Sequence, residues 1–311
     1  MDIEYKFRDK KILITGARGF IGSNLCEKLL NFNANIHAVS RNYSGSKSDP
    51  VQWWQGDLAD ISFVKDLFHR VEPDYVFHLS GYVTGLRDAG ILVNSYHSLL
   101  TSTINILTAA TDTGCEKIVL AGSLEEPEPG ESFPVPSSPY AAAKWAARGY
   151  AAMFRELYGT PVVNPRIFMV YGPGQLEHRK LIPYVTLSLL KNEQPKLSSG
   201  RRAIDWVYID DVVDGLLTLA QSENTPDGLI DIGTGEKTTV KEIVEKLVTI
   251  TGSSTQPVFG DLDDRPMERV TVADPAATYE KTGWQPRTSI DEGLTRTVEW
   301  YKKHLDLFTE Q

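Results

Sequence analysis

The apolar residues Ile12, Leu13 and Ile14 follow the charged run 8–11 and stop at Thr15 and Gly16. Glycines recur at 16, 19 and 22, and Ile21, Leu25, Leu29 and Leu30 then fall at helical spacing. The pattern predicts a strand, a tight glycine turn and a helix. A second short strand is predicted at 35–39, after which a loop rich in Ser, Gly and Lys leads to VQWWQ (51–55) and to Gly56, Asp57 and Leu58. Ile61, Val64, Leu67 and Phe68 mark a helix ending near Pro73, and YVFHL (75–79) is a continuous apolar strand of the kind buried on both faces of a parallel sheet. A helical stretch over about 95–113, a buried strand at 117–121, a loop rich in Pro and Glu at 125–139 and a helix from 140 to about 158 follow. Strands alternating with helices at this rhythm predict a doubly wound α/β sheet.

The glycine turn is the first candidate for chemistry. A diphosphate can rest against free backbone N–H groups at a helix N-terminus, and residues without Cβ let it approach. The spacing is GxxGxxG, not the GxGxxG of the common dinucleotide fingerprint, and glycines also serve turns that merely connect. A strand before it and a helix after it favour nucleotide binding. At the end of the second strand of such a fold, an acid would bond the ribose 2′-hydroxyl, whereas an arginine accommodates a 2′-phosphate. Ser40 and Arg41 stand there, no acid does, and Arg18 within the turn can reach the same phosphate. NADP(H) is therefore favoured over NAD(H), with solvated surface as the other reading of both arginines. The third strand ends at Leu79, Ser80, Gly81 and Tyr82, where small or flexible residues let a cofactor pass close to the backbone.

The strand IVLAG (118–122) delivers Ser123 to the carboxyl edge of the sheet, where ligands of such folds bind. Tyr140 and Lys144 lie four residues apart in a predicted helix and share a face. A lysine ammonium there favours the phenolate and lowers the tyrosine pKa. That spacing is common on ordinary helix surfaces; the three intervening alanines, Pro139 at the helix start and the serine ahead of it favour a site.

A chain of 311 residues predicts one large domain and a smaller one. Cys26 and Cys115 are the only cysteines and are expected as small buried residues, not as a disulfide, which points to a cytoplasmic protein. The first residues lack the pattern of a signal peptide, and no apolar run approaches the roughly 20 residues of a membrane span, so no membrane role is expected. A net charge of -9 opposes nucleic-acid binding, and an anionic ligand would need a local basic pocket. No metal site is predicted.

These residues together resemble the extended short-chain dehydrogenase/reductases, the nucleotide-sugar epimerase and dehydratase group. TGARGFIG (15–22) is similar to its glycine turn, Gly56-Asp57-Leu58 to its adenine-contacting segment, and PDYVFHLS (73–80) to its fourth strand. Ser123, Tyr140 and Lys144 match its Ser-Tyr-Lys triad, and RIFMVYGPG (166–174) the segment after the following strand. DWVYIDDVVDGL (205–216), GLIDIGTGE (228–236) and DRPMERVTVADPAATYEKTGW (264–284) match its C-terminal half.

The resemblance implies a Rossmann domain over about 1–170, rejoined by about 204–233, with a smaller substrate-binding domain from the remaining segments of 171–311. It implies cofactor contacts from Gly16, Arg18, Gly19, Phe20, Ile21, Gly22, Ser40, Arg41, Asp57, Leu58, Leu79, Ser80 and Gly81, with Tyr140 as acid/base, Lys144 tuning it and bonding the nicotinamide ribose, and Ser123 orienting the substrate oxygen. Tyr82, Met169, Arg265 and either Arg201 or Arg202 are the implied substrate contacts. The run His178, Arg179 and Lys180 is a further basic cluster, a pattern usual for a solvated loop.

Three departures bear on the reaction. Ser123-Leu124-Glu125 stands where dehydratases carry Thr-Asp-Glu, so the acid that eliminates water is missing; Glu125 is retained as a candidate secondary acid/base. Met169 replaces an Asn that bonds the substrate diphosphate in many epimerases, and Leu99 and Ser102 replace a usual Asn and Gly. The strand end Ala121-Gly122-Ser123 resembles several sugar ketoreductases. The expected activity is NADPH-dependent reduction of a 4-keto group on a nucleotide sugar; the alternative is an NAD-dependent nucleotide-sugar 4-epimerase, and a non-catalytic cofactor sensor is disfavoured because Tyr140 and Lys144 are both present. A homodimer is expected, since helices 97–113 and 140–157 match those forming an intermolecular bundle in relatives; Ala141, Ala142, Ala146, Ala147 and Ala151 permit such approach or pack on their own sheet.

Overall fold

Six strands form a parallel sheet in the computed structural model, which describes residues 3–42, 48–127, 134–222, 228–264, 267 and 270–308. After a short helix α1 (Ile3–Phe7), they are β1 (Lys11–Thr15), β2 (Asn35–Ser40), β3 (Gln52–Gln55), β4 (Tyr75–His78), β5 (Lys117–Leu120) and, beyond a two-residue β6 (Gly122–Ser123), β7 (Val162–Val163). Their order is β3-β2-β1-β4-β5-β7. The chain steps outward from β1 in one direction through β2 and β3, then in the other through β4 and β5. The order thus reverses at β1 and β4, whose last residues Thr15 and His78 are register partners. Such a reversal opens a crevice at the carboxyl ends of the strands. β6 pairs in parallel with β8 (Arg166–Ile167).

β4 and β5 are buried along their whole length and β1 from Ile12 on, as a sheet covered on both faces requires. Leu13, Val76 and Ile118 share one core cluster with Val64, Leu67 and Phe68 of α3 (Ile61–Val71) and with Ile106 and Phe154. Asp60 begins α3 by accepting hydrogen bonds from the Ser62 and Phe63 amides. The helix expected at 95–113 starts earlier. It runs as α4 (Leu92–Ser95), a π-helical stretch Tyr96–Thr101 and α5 (Ser102–Thr113). The wider turns re-aim the side chains that follow, and Leu99 packs so close to Gly81 that a Cβ there would stand 2.2 Å from its Cδ2. α6 (Pro139–Tyr158) is capped by Ser138, which accepts from the Ala141 amide, and ends at left-handed Gly159.

The chain divides into two compact units, Met1–Ile167 with Val213–Ile230 and Glu280–Trp284, and Phe168–Val212 with Asp231–Tyr279 and Gln285–Gln311. The returning segment is therefore shorter than the expected 204–233. Within it, Asp214 lies 3.7 Å from Lys28, and Gln221 bonds the Ile3 carbonyl. Residues 204–212 belong to the second unit because Trp206–Tyr208 pairs in parallel with β9 (Met169–Tyr171).

The second unit is built on two- and three-residue strands joined by buried aspartates. Asp205 accepts from the Thr234 amide and hydroxyl at 2.8 and 2.7 Å and from the Gly235 and Ala273 amides at 2.8 and 3.1 Å. Asp211 accepts from the Arg287 and Thr288 amides. Both cysteines are free, as expected; Cys26 is buried, whereas Cys115 is only half-buried. Among the described residues no helix is long and apolar enough to cross a membrane.

Candidate active site

The glycine turn in the first unit is shaped by two close approaches and an uncapped helix start. Gly16 has φ +73°, a left-handed conformation favouring glycine, and a Cβ on it would stand 2.8 Å from the Ser80 nitrogen. A Cβ on Gly22 would lie 2.2 Å from the Gly16 carbonyl oxygen. Gly19 is the N-cap of α2 (Phe20–Asn31) and supplies no side-chain cap, so the amides of Phe20 and Ile21 at this helix start have no intrahelical acceptor. A cradle that any Cβ would fill, ending on an uncapped helix N-terminus, fits the diphosphate of a dinucleotide.

Beneath the turn, donors and acceptors form one chain. The Ser80 amide donates to Thr15 Oγ1 at 3.2 Å, which lies 2.7 Å from His78 Nδ1; His78 Nε2 lies 3.2 Å from Thr103 Oγ1, whose hydroxyl donates to the Leu99 carbonyl at 2.6 Å. Because Thr103 spends its proton on Leu99, it can only accept from His78, which assigns the Nε2–H tautomer. Burial, reinforced by the Lys144 charge, pushes His78 down to about 3, so the ring is neutral. The histidine stood in plain view in YVFHL, but a lone polar residue in an apolar strand does not name its partners.

At the end of β2, Ser40 Oγ donates to the Asn42 carbonyl at 3.1 Å and the Gln55 amide group to the Arg41 carbonyl. The Arg18 guanidinium reaches the same Asn42 carbonyl at 3.3 Å and lies over the Trp53 ring, 5.1 Å from its centroid. Arg41 is exposed. Asp57 turns back to accept from the Ala59 amide, while the Leu58 carbonyl accepts from Asn105, a buried helix residue that periodicity alone did not single out.

Ser123, Tyr140 and Lys144 come together. Ser123, on β6, acts on Tyr140 so as to favour its phenolate, and the buried Lys144 ammonium donates to the Ala121 carbonyl at 2.6 Å. From the i, i+4 spacing Lys144 is expected to lower Tyr140; the structure differs. Burial pushes Tyr140 up to about 12, Ser123 opposes this, and the Glu126 and Glu125 charges add to it. Lys144 is itself pushed down to about 8 by burial, against the pull of Glu126. The unforeseen carboxylate is Glu126, buried behind Ser123 and paired with Arg148. Arg148 continues the i, i+4 series 140, 144, 148, a signal open to inspection. Glu125 accepts from Ser137 at 3.2 Å, and its own amide donates to Ser123 Oγ.

Tyr82 is exposed, its amide bonded to Ser98. In the second unit Met169 is half-buried on β9 beside Trp206, and Arg201 is exposed and ion-paired with Asp264 at 3.4 Å. Arg179 and Lys180 are exposed, as the solvated-loop reading of that run expected. Arg265 lies outside the described residues. Of the α6 alanines, Ala141, Ala147 and Ala151 are buried within this chain, while Trp145 and Tyr150 are exposed. Among the described residues no cluster of His, Cys, Asp and Glu could hold a metal.

A family model described as the NAD dependent epimerase/dehydratase family matches residues 12–233. The dTDP-D-glucose 4,6-dehydratase of Mus musculus is 27% identical over 95% of this chain and 89% of its own length. The crystal structure of a Thermotoga maritima UDP-glucose 4-epimerase with UDP-glucose superposes with a TM-score of 0.86 at 27% identity, covering 94% of this chain and 99% of that one. A Thermus thermophilus UDP-glucose 4-epimerase in complex with NAD gives 0.82 at 26% identity with the same coverage.

Proposed function

The chain belongs to the NAD-dependent epimerase/dehydratase family, and from that premise we propose that it reduces a 4-keto group of a nucleotide sugar with NADPH. The observation that carries this reading is the end of β2, where no acid stands and the Arg18 guanidinium reaches the Asn42 carbonyl beside Ser40 and Arg41. A cation there suits a 2′-phosphate. Gly16, Gly19, Phe20, Ile21 and Gly22 would hold the cofactor diphosphate, Asp57 and Leu58 its adenine, and Leu79, Ser80 and Gly81 would border the nicotinamide end. Met169, Arg201 and Arg265 are proposed as substrate contacts on the family resemblance alone.

Reduction adds a hydride to the carbonyl carbon and a proton to its oxygen; the nicotinamide, when bound, supplies the hydride. The Ser123 hydroxyl holds the ketone oxygen and Tyr140 gives it the proton. A phenol held up to about 12 is in its acid form at neutral pH, which is the form a reduction uses. The Lys144 ammonium stabilises the tyrosinate left behind. Leu124 cannot donate a proton, so a 4,6-dehydration is disfavoured despite the dehydratase relatives.

A second reading, an NAD-dependent 4-epimerase, is favoured by the two epimerase structures that cover nearly the whole chain. Incubation with NADPH and a panel of 4-keto nucleotide sugars separates the two. Net NADPH oxidation with formation of the alcohol is expected; C4 epimers of the corresponding hydroxyl sugars, formed with no net change in cofactor, would transfer the assignment to the epimerase. Trp145 and Tyr150, exposed on α6, support a homodimer through that helix; a monomer mass in sedimentation at micromolar concentration would exclude it.

A further inference from the structure

One ion pair, between the buried Glu126 and the half-buried Arg148, lies directly behind the candidate site and outside the Ser-Tyr-Lys set. Glu126 is 2% exposed, and its Oε1 accepts the Ser123 amide at 2.6 Å while Oε2 takes the Arg148 Nε–H. Arg148 Nη1 donates to the Asn164 carbonyl at 3.2 Å, and Asn164 Nδ2 donates to the Leu120 carbonyl at 2.7 Å. The stretch from Leu120 to Ser123 is thus held at both ends by one chain of bonds, and the carbonyl between them, Ala121, receives the Lys144 ammonium. Gly122 makes room: a Cβ there would stand 2.6 Å from the Pro165 carbonyl oxygen and 2.9 Å from both Glu126 Oε1 and Arg148 Nη2. The glycine of Ala121-Gly122-Ser123 is accounted for by that carbonyl together with this pair. Buried pairs add little net stability over apolar packing, so stability alone does not explain it.

We propose that Glu126 and Arg148 are positioning residues that fix Ser123 through its backbone amide and set the electrostatic field at the Tyr140 hydroxyl and Lys144 ammonium. The inference rests on reading Ser123, Tyr140 and Lys144 as the reacting groups. The charged and titratable groups facing that couple are Glu125 and Glu126 from the loop after β6, His78 from the end of β4, and Arg148 one turn further along α6. His78 is neutral, which leaves the carboxylates as the charges acting on the couple, with Arg148 paired to Glu126. Glu126 favours the protonated form of both Tyr140 and Lys144.

The test uses opposite charge changes in the full chain. Lys144 is titrated by NMR of protein carrying 13C at lysine Cε, its signal identified by loss in Lys144→Arg; neither substrate nor cofactor is needed. Glu126→Gln removes a negative charge and lowers the Lys144 midpoint by about one pH unit, and Arg148→Met removes the positive one and raises it by a similar amount. The double variant returns toward wild type. In Glu126→Gln the kcat for NADPH-dependent reduction falls about tenfold, with its pH profile displaced to lower pH. Midpoints unmoved in the folded variants, or moved in the same direction by both, would reduce the pair to a structural role. Should Glu126→Gln not fold, Arg148→Met alone decides by the sign of its shift. If the midpoints move as stated but the wild type reduces no ketone, the proposed function fails and the field assignment stands; if the wild type reduces a ketone and the midpoints stay fixed, the field assignment fails and the proposed function stands.

Discussion

The two units of this chain are ordered by different means. The first is a parallel sheet of six strands, five of them between four and six residues long, with helices whose apolar residues recur at regular intervals. In the second, strands shrink to two or three residues, and much of the order comes from side chains that hold backbone at long range. Asp205 alone joins Thr234, Gly235 and Ala273. A sheet spreads its hydrogen bonds over many equivalent residues, so the loss of one is shared; a clasp concentrates them on one carboxylate, so its loss is not.

The largest expected effect tests whether the first unit separates chemistry from folding. Tyr140→Phe removes one hydroxyl, and turnover is expected to fall about a thousandfold with cofactor affinity and melting temperature little changed, measured by steady-state kinetics and thermal melts. Equal loss of affinity would mean the tyrosine serves binding instead. Next comes the clasp. Asp205→Ala leaves several buried amides without an acceptor and is expected to cost about 3 kcal/mol in urea unfolding. If the two units are energetically distinct, cofactor binding persists at urea concentrations where substrate-dependent turnover is already lost.

A smaller effect arises in the sheet itself. His78 stays neutral in the folded state down to about 3, whereas the unfolded chain takes up the proton below about pH 6.5. Its contribution is therefore complete above that pH and declines as pH falls, by about 2 kcal/mol on reaching about pH 5. Urea unfolding at both values measures the slope, which His78→Asn should flatten. The smallest effect sharpens the cofactor assignment. Arg18→Ser is expected to weaken NADPH binding about tenfold and leave NADH nearly unchanged, by fluorescence titration. Equal weakening of both would mean Arg18 meets the diphosphate or the adenine in place of a 2′-phosphate.

Legibility follows the same division. The run Ile12–Ile14, the glycines after it and the spacing of Val64, Leu67 and Phe68 were readable because each is a local pattern with a fixed period. The Tyr140 and Lys144 face was readable for the same reason, since four residues make one helical turn. The start of the helix at Leu92 and its π-helical stretch were not, because neither leaves a period in the sequence, and the close approach of Leu99 to Gly81 is a contact between elements. The alanines of α6 were half legible: their size allowed close approach, but only the fold shows that Ala141, Ala147 and Ala151 are already covered by this chain.

By itself the sequence determined the alternation of strand and helix, the glycine cradle and the presence of serine, tyrosine and lysine in the order a hydride-transfer site needs. Tertiary structure decided which charges surround them. Burial holds Tyr140 as a phenol and brings Lys144 down to about 8, Glu126 meets Arg148 across 22 positions, and Thr15 finds His78 across 63. Periodicity acts over one or two turns, whereas desolvation and hydrogen bonding depend on what the folded chain brings within a few ångströms, and that information is not local.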